Sequence, residues 1–458
     1  MSNVSGMAEE QHLSYPLHEC VFEGDVQKFA RLMRTEDLSK KDKHGNTALH
    51  LAIMLGRKDI VQLLLAHNAP VKVKNINGWT PLSEAISYGD RLTIISLLKK
   101  MKHQAREQIE ERRPNLVSAL KQVGDFYMQI KWDFQSWVPL VSRVLPSDLC
   151  QIHKKGTSFR LDTTLVDFAM NDMKWERGEI TFLFDGDAKP PHSLIVMDNK
   201  AGVYQRVRYL ETESEIEDEV DLMMSTDIVT AQMSTKSITF SRAQSGWIFR
   251  QDRKETIGDF NADFYHINGL TLEQKKRREH LSEEDLQKNK AIIESLTKGG
   301  CAINIDCNGE VMSYFIPLIF KPVRRESLLP PTPALCTWKE YFTSPAGQHP
   351  TLAREMVFKN TTRGFKATVA MSMDFPLSVA MLMDVLEVTA PFKHFAKLRD
   401  FVNLKLPPGF PVKLDIPILP TVSAKITFQA FEFRDDIDSD LFEVPANYVE
   451  DPSRFPDL

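Results

Sequence analysis

Hydrophobic and polar positions repeat with a long period near the start of the chain. Residues 45–56 and 78–89 carry one pattern of glycine, threonine, leucine and alanine twice, offset by 33 residues. A weaker copy lies at residues 15–24. Apolar runs at residues 60–65 and 94–98 follow the two clear copies, at the spacing of a second helix. The pattern therefore predicts three stacked helical hairpins.

A period of about 33 residues is typical of ankyrin repeats. Thr80 can cap the first helix of its repeat, because its hydroxyl accepts hydrogen bonds from free amides of the first turn. Gly56 and Gly89 suit the left-handed conformation that ends a helix. We expect His50 to bond to backbone across the turn, a structural rather than a catalytic role. Such repeats offer a binding surface, not chemistry.

The helical pattern continues beyond the repeats. We expect a flexible N-terminus over residues 1–14, ankyrin repeats over 15–100, and a helical cap or joint over 101–148. The joint contains an aromatic cluster (Trp132, Phe134, Trp137). A cluster of this kind is more often part of a core than a ligand site.

The hydrophobic period changes to two after the joint. Short alternating or apolar segments predict strands at residues 159–162, 180–184, 193–197, 203–209, 237–240, 247–250, 365–371, 410–416 and 424–428. Short strands at close spacing favour an antiparallel sheet or barrel. The predicted fold is therefore multidomain α+β: an N-terminal ankyrin-repeat α-solenoid, a helical cap, and a mainly antiparallel β-rich domain over residues 149–458.

Four features interrupt the predicted sheet. The acidic tract at residues 211–224 is expected to be a solvated loop. Residues 271–296 are predicted to be a helix whose basic start (residues 275–278) forms a charged face. The proline-rich stretch 321–350 is interpreted as an excursion or linker. Pro417 is expected to mark an edge strand or a strand end, because proline cannot donate to a ladder.

Composition and motifs argue against several classes of function. The 458 residues carry a net charge of −5, which gives no reason to expect nucleic acid, and five scattered cysteines fit a reduced, cytosolic protein. No P-loop, HExxH motif or GxSxG elbow occurs. The acidic run 436–440 lacks the glycine of a calcium loop. We expect no enzyme activity, no cofactor and no metal site.

Membrane contact is expected to be peripheral. Residues 1–10 are polar, unlike a secretory leader, and the apolar run at 314–320 is far shorter than a membrane span. The sheet domain is expected to hold one partner segment by adding a strand at an exposed edge. Binding of another partner is assigned to ankyrin finger tips and the concave helix face. The candidate contacts are His44, Met54, Leu55, Asn77, Trp79, Glu84 and Tyr88. Of these, Met54 and Leu55 are equally well explained as packing residues.

Four long motifs carry a family resemblance. They are WVPLVSRVLPSD at residues 137–148, RLDTTL at 160–165, KLRDF at 397–401 and PPGFPVK at 407–413. With the repeats, they resemble the ankyrin repeat domain-containing protein 13 family. The acidic tract, RREHLSEED at residues 277–285 and DPSRFPDL at 451–458 resemble in particular its C-type branch. The resemblance implies a non-enzymatic protein with a G-protein-coupled-receptor chaperone domain. It further implies a location at the cytosolic face of the endoplasmic reticulum and a role in receptor maturation and exit.

Two alternatives stay open at this point. Other members of that family carry ubiquitin-interacting motifs, so a trafficking adaptor that reads ubiquitin or a scaffold is the runner-up. The nearest match here is Glu217-Asp218-Glu219 with Leu222, but Ser225 stands where alanine belongs and Val229 where serine belongs. We therefore expect no ubiquitin binding. An enzyme hidden in the sheet domain is the third class.

Overall fold

A computed structural model describes residues 15–136, 145–169, 174–208, 210–234, 237–246, 250–298, 324–333, 335–379, 406–419 and 422–455. Its N-terminal region is helical. The helices are α1 (Pro16–Glu23), α2 (Val26–Leu32), α3 (Ala48–Met54), α4 (Lys58–Ala66), α5 (Pro81–Tyr88) and α6 (Arg91–Gln122). They pack as three hairpins around one apolar core. The ankyrin-repeat prediction is confirmed.

The local chemistry of the repeats agrees with the sequence. The Thr80 side chain accepts a hydrogen bond from the Ser83 backbone amide at the start of α5. Gly56 and Gly89 have φ angles of +66° and +86°. His50 Nδ1 lies 2.9 Å from the Thr47 hydroxyl, and its Nε2 lies 3.1 Å from a backbone carbonyl of the next repeat. These contacts hold one repeat against the next.

Helix α6 belongs to two cores. Its first turns place Ile94 and Leu97 in the core of the repeats, whereas Leu120, near its end, lies in the core of the sheet region. The helix spans 32 residues and contains Pro114. It therefore connects the repeats to the sheet as a continuous rod.

The predicted helical joint is wrong beyond Gln122. The chain leaves α6 and forms strand β1 (Phe126–Ser136), which contains Trp132 and Phe134, and then β2 (Ser147–Lys155). The apolar residues of this segment fit both a helical period and the alternation of a strand. Pairing of β1 with β2 and β15 makes the segment a strand. Trp137 lies outside the described residues.

The sheet comprises fourteen of the described strands. After β1 and β2 the strands are β3 (Ser158–Ala169), β4 (Lys174–Asp185), β5 (Leu194–Asp198), β6 (Val203–Arg206), β7 (Ile228–Ser234), β8 (Thr239–Arg242), β9 (Gln244–Ser245), β10 (Gln251–Asp252), β11 (Lys254–Ile257), β12 (Phe260–Arg277), β13 (Phe358–Ser372), β14 (Phe410–Leu419), β15 (Val422–Phe433) and β16 (Val449–Glu450). Strands β9 and β10 pair only with each other.

The order of the main path is β11-β12-β13-β14-β15-β1-β2-β3-β4-β5-β6-β16. Neighbours are antiparallel except β6 and β16, which are parallel. Strand β1 lies between β15 and β2, so the last long strand pairs with the first. The β-rich prediction is confirmed, although residues 247–249 of one predicted strand lie outside the described residues.

One end of the sheet curls over a phenylalanine-rich core. The turn between β11 and β12 reaches β15, where the Asp259 amide donates to the Gln429 carbonyl at 3.1 Å. Gly258 in this turn has a φ of +56°, and a Cβ there would lie 1.8 Å from the same carbonyl oxygen. The enclosed phenylalanines are Phe126, Phe159, Phe260, Phe264, Phe375, Phe410, Phe428 and Phe431.

The acidic tract and the basic run also differ from expectation. Most of residues 211–224 lies in helix α7 (Glu213–Ser225), not a loop, because Ile216, Val220 and Met224 share one face that joins the core of the repeats. The basic run ends strand β12 rather than starting a helix. Its residues pair with β7 on one edge and with β13 on the other. Helix α8 (Glu283–Lys298) begins later.

The proline predictions have mixed outcomes. Pro417 lies near the end of β14, beyond Asp415, the last residue of that strand paired with β13. At Pro417 only one edge of β14 is paired, so a residue without a backbone N–H is tolerated there, as expected near a strand end. The predicted linker is instead ordered against the repeats where it is described. We call residues 324–333 and 335–357 the strap; it contains helix α9 (Trp338–Thr343).

Candidate functional site

The seven predicted contact residues lie where the repeats meet the rest of the chain or in the core beneath. His44, Met54, Trp79 and Glu84 are buried. Leu55, Asn77 and Tyr88 are half-buried. We call the surface formed by His44, Asn77, Trp79, Glu84 and Tyr88 the contact face. The strap and the end of β12 cover it.

His44 holds the strap through both ring nitrogens. Its Nδ1 accepts the Gly347 backbone amide at 3.0 Å, and Nε2 lies 3.1 Å from the Tyr341 carbonyl. A ring that accepts at Nδ1 carries its proton on Nε2, so it donates to that carbonyl. Burial lowers the pKa of His44, and nearby His349 and Lys43 act in the same direction, against Asp42. The neutral ring therefore fits this contact.

Tyr341 inserts from α9 into the polar turn of the second repeat. Its hydroxyl donates to Asp42 Oδ2 at 2.6 Å and accepts from Asn46 Nδ2 at 2.9 Å. Burial and the Asp42 charge raise the pKa of Tyr341. Its ring lies 4.9 Å from that of Phe22, and Trp338 lies 5.4 Å from the same ring. The short helix thus combines an aromatic anchor with a satisfied polar centre.

A buried arginine fastens the sheet to the third repeat. Arg277 Nη1 donates to Glu84 Oε1 at 2.9 Å, Nη2 lies 2.6 Å from Glu279 Oε1, and the guanidinium carbon lies 5.0 Å from the centre of the Trp79 ring. Burial alone would lower the pKa of Arg277, but the two carboxylates raise it. The Ser87 hydroxyl also donates to Glu279 at 2.6 Å. The arginine is therefore charged and paired in a nearly dry site.

A second buried ion pair joins three segments. Arg91 at the start of α6 pairs with Asp221 of α7, and both side chains are almost fully buried. Asp221 also accepts the Arg325 backbone amide at 2.8 Å, and Arg91 donates to the Arg325 carbonyl at 2.9 Å. The acidic helix and the strap are thus fixed to the last repeat together.

Asn77 and Tyr88 form hydrogen bonds with the strap and with β12, mainly through their own backbone carbonyls. Asn77 Nδ2 donates to the Gly347 carbonyl at 3.2 Å, and the Asn77 carbonyl accepts from Lys275 at 2.9 Å. Arg354 of the strap donates to the Tyr88 carbonyl at 3.3 Å. Met54 and Leu55 belong to the core of the repeats or pack against it, which matches their alternative interpretation.

In this structure the seven residues do not form an open surface. The chain itself occupies the face, because the strap presents a helix, carbonyls and amides that match the polar groups of the repeats. Contact of these residues with a partner stays a prediction. Sequence reasoning missed Tyr341 and Arg277, which the structure places at the centre of the face. The one signal was the helical spacing of Trp338, Tyr341 and Phe342 within a proline-rich stretch.

Titratable groups elsewhere have structural roles in the described residues. Burial lowers the pKa of His50 and of His280 to about 4, and each ring lies within hydrogen-bonding distance of a backbone carbonyl. Burial raises the pKa of the Cys150 thiol to about 11. Within the described ranges, His, Cys, Asp and Glu form no group of three that could hold a metal ion.

The helices of the described residues include none with the length and apolar character needed to span a bilayer.

Known proteins match along nearly the whole chain. The family model described as ANKRD13 C-terminal matches residues 160–453, and the model for three copies of the ankyrin repeat matches residues 17–108. Ankyrin repeat domain-containing protein 13C of Danio rerio is 58% identical over 445 residues, which cover 97% of this chain and 88% of that protein. The Homo sapiens protein 13C is 57% identical over 97% of this chain and 79% of its own length.

A more distant relative also matches most of the chain. Ankyrin repeat domain-containing protein 13B of Mus musculus is 34% identical over 440 residues, covering 90% of this chain and 67% of that protein. The similarity thus includes the repeats, the joint and the sheet, as the four sequence motifs indicated. The chain belongs to the ankyrin repeat domain-containing protein 13 family.

Proposed function

We propose that this protein is a non-enzymatic holding chaperone for newly made G-protein-coupled receptors at the cytosolic face of the endoplasmic reticulum. In this role it binds a cytosolic loop or tail of the receptor and regulates maturation and exit. Family membership and ankyrin repeats support a protein-binding role. We further propose that the bound protein is a receptor. Release follows from competition or from receptor folding, because a ligand shifts an equilibrium only by differential affinity.

The proposed binding site for the receptor segment is one edge of the sheet. Strands β11, β8 and β7 follow one another along the same edge of β12, and each pairs only with β12 among the described strands. Strand β7 also contacts the repeats, where Lys74 Nζ lies 3.4 Å from the Thr230 hydroxyl. No described strand pairs with the outer edge of β8, so its backbone donors and acceptors can bind an extended receptor segment as an added strand.

The client is assigned to this edge because the strap already covers the contact face. An added ligand at the contact face would first have to displace the strap and its buried polar contacts, whereas addition to β8 displaces no described strand. The side chains of Thr239 and Ser241 are exposed there. Binding at the sheet edge thus requires less rearrangement than binding at the contact face.

The geometry does not favour the runner-up, a ubiquitin-reading adaptor. The tract nearest to a ubiquitin-interacting motif forms α7, and its apolar face is buried. Asp221 of that helix is held by Arg91. Ubiquitin would need this face exposed.

The test compares two full-length variants with the same added charge. Lysine at an edge strand disfavours strand addition. Thr239→Lys with Ser241→Lys should lower the capture of endoglycosidase-sensitive, immature receptors from microsomes about fivefold relative to the natural sequence. The control, Gln108→Lys with Ser118→Lys, adds two lysines at exposed positions of α6 and should capture normally.

Two outcomes would separate the parts of the proposal. Equal capture by both variants would refute the assignment to β8 but leave the chaperone role. No enrichment of immature over mature receptors by the natural sequence would refute the chaperone role. Titration with polyubiquitin chains addresses the runner-up, since tight binding would favour an adaptor.

A further inference from the structure

The first part of the strap is extended and held at several points. Residues 324–333 contain neither helix nor strand. The Leu328 amide donates to the Gly89 carbonyl at 2.8 Å, and Arg354 donates to the Leu329 carbonyl. The Ser327 hydroxyl accepts the Arg91 amide at 3.0 Å. The segment is therefore fixed on the protein although it lacks a ladder or a helix.

Burial along this segment has a period of three. Arg325, Leu328 and Pro331 are half-buried, and every other residue from 324 to 333 is exposed. Polyproline II has three residues per turn, so one residue in three faces the protein. Proline fixes its own φ and pushes the residue before it toward extended backbone. The prolines at 330, 331 and 333 therefore explain both the conformation and the period.

The outward side carries two pairs of an exposed residue followed by proline. They are Leu329-Pro330 and Thr332-Pro333, three residues apart and so on the same side of the helix. Leu329 is 86% exposed. Pro331, which lies between the pairs, lines a cleft with Leu281, Arg354 and Val357, and the exposed Thr332 lies at the edge of the same cleft.

We propose that Leu329-Pro330 and Thr332-Pro333 form a docking ridge for an SH3 domain of a partner protein. Aromatic-lined grooves of SH3 domains bind PxxP segments in the polyproline II conformation. Here Pro330 and Pro333 have that spacing, and both prolines are exposed, as is Leu329. Since the protein already fixes the segment, binding costs less conformational entropy than it would for a free peptide. The ridge lies outside the contact face, so docking leaves the repeats and sheet joined.

The three prolines provide a matched test. In the full-length protein, Pro330→Ala with Pro333→Ala removes both outward prolines, whereas Pro331→Ala removes the inward one. Binding to a panel of purified SH3 domains is measured by fluorescence polarisation, beside panels of WW and EVH1 domains. We expect at least one SH3 domain to bind, with affinity about tenfold lower for the double variant and within about twofold of the natural sequence for Pro331→Ala.

Three results would overturn the proposal. They are binding to no SH3 domain in the panel, equal loss in both variants, and binding only to WW or EVH1 domains. Urea unfolding of each variant, compared with the natural sequence, separates loss of the ridge from loss of the fold. If the double variant unfolds early, Leu329→Asp, at a side chain that is almost fully exposed, serves as the second probe and should also lower the affinity about tenfold.

Discussion

The repeats and the sheet bury their cores with contacts of very different range. In the repeats, the bonds that join neighbours connect residues about one period apart, such as His50 with Trp79 and Asn75 with Asn46. In the sheet, β1 pairs with β15, and Gln135 meets Lys425 at a separation of 290 residues. The repeats can therefore form locally, whereas the sheet closes only when both ends of its sequence are present.

The joint observed between the two regions consists of the contacts of β12, α7 and their flanking residues with α5 and α6, not of residues 101–148, and it differs from both cores. The repeat core and the sheet core are apolar, but the joint contains charges in nearly dry sites, with Arg277 between Glu84 and Glu279 and Arg91 beside Asp221. Buried ion pairs add little net stability, yet breaking one is costly. The joint is thus specific in geometry, and substitutions there should report whether the two regions unfold together.

The largest effect is expected at Arg277. Arg277→Met leaves Glu84 and Glu279 buried without their cation and should lower the free energy of unfolding by about 3 to 5 kcal/mol. Urea unfolding followed by tryptophan fluorescence and by circular dichroism measures it. If repeats and sheet form one cooperative unit, both signals shift together. A shift in one signal alone would show that the regions unfold separately.

The curled sheet should be sensitive to a single methyl group. Gly258→Ala adds a Cβ at 1.8 Å from a backbone oxygen, at a positive φ, and should cost about 3 kcal/mol. Gly156→Ala is the matched control, because its φ is +57° and no atom lies within 4 Å of its Cβ. It should cost about 1 kcal/mol. Equal costs would mean that the β11–β12 turn does not touch β15.

The Tyr341 hydroxyl contributes to the contact of the strap with the repeats. Tyr341→Phe keeps the ring but leaves buried Asp42 without a donor at Oδ2, so it should lower the free energy of unfolding by about 1.5 to 3 kcal/mol. Hydrogen exchange should speed up in residues 337–349 and in the second repeat before it does so in the sheet. Uniform loss of protection would instead indicate that the strap opens only with the whole molecule.

Acid should weaken the joint through a buried histidine. His280 has a folded pKa of about 4, below its ordinary value, so the unfolded chain binds the additional proton between about pH 6.5 and pH 4. Stability is therefore complete above pH 6.5 and falls as the pH decreases, by about 2 kcal/mol from this residue between pH 7 and pH 5. His280→Gln should reduce the pH dependence of urea unfolding by that amount. An unchanged dependence would contradict the burial of this ring.

The smallest effect is expected for an exposed ion pair in the same joint. Lys99 of α6 lies 2.6 Å from Glu213 of α7, with both side chains largely in solvent. Lys99→Ala should change the free energy of unfolding by less than about 1 kcal/mol, and the change should shrink at high salt. A cost near that of Arg277→Met would remove the distinction between buried and exposed charges.

The sequence by itself determined the features whose cause lies within one element or one repeat. The 33-residue period placed the repeats, and the glycines at 56 and 89 marked helix ends, because both signals arise from neighbours in the chain. Alternation located half of the described strands for the same reason. The family motifs indicated that the protein has a protein-binding function.

Only the tertiary structure decided the strand order, the helix in the acidic tract and the closure of the contact face. Arg277 meets Glu84 across 193 residues, and His44 meets the Tyr341 carbonyl across 297. Local periodicity in the sequence does not reveal such pairings. The apolar spacing in β1 also fits a helix, and only its hydrogen bonds with β2 and β15 make it a strand. The physical reason is that burial and pairing with distant segments outweigh the small local preferences of a short segment.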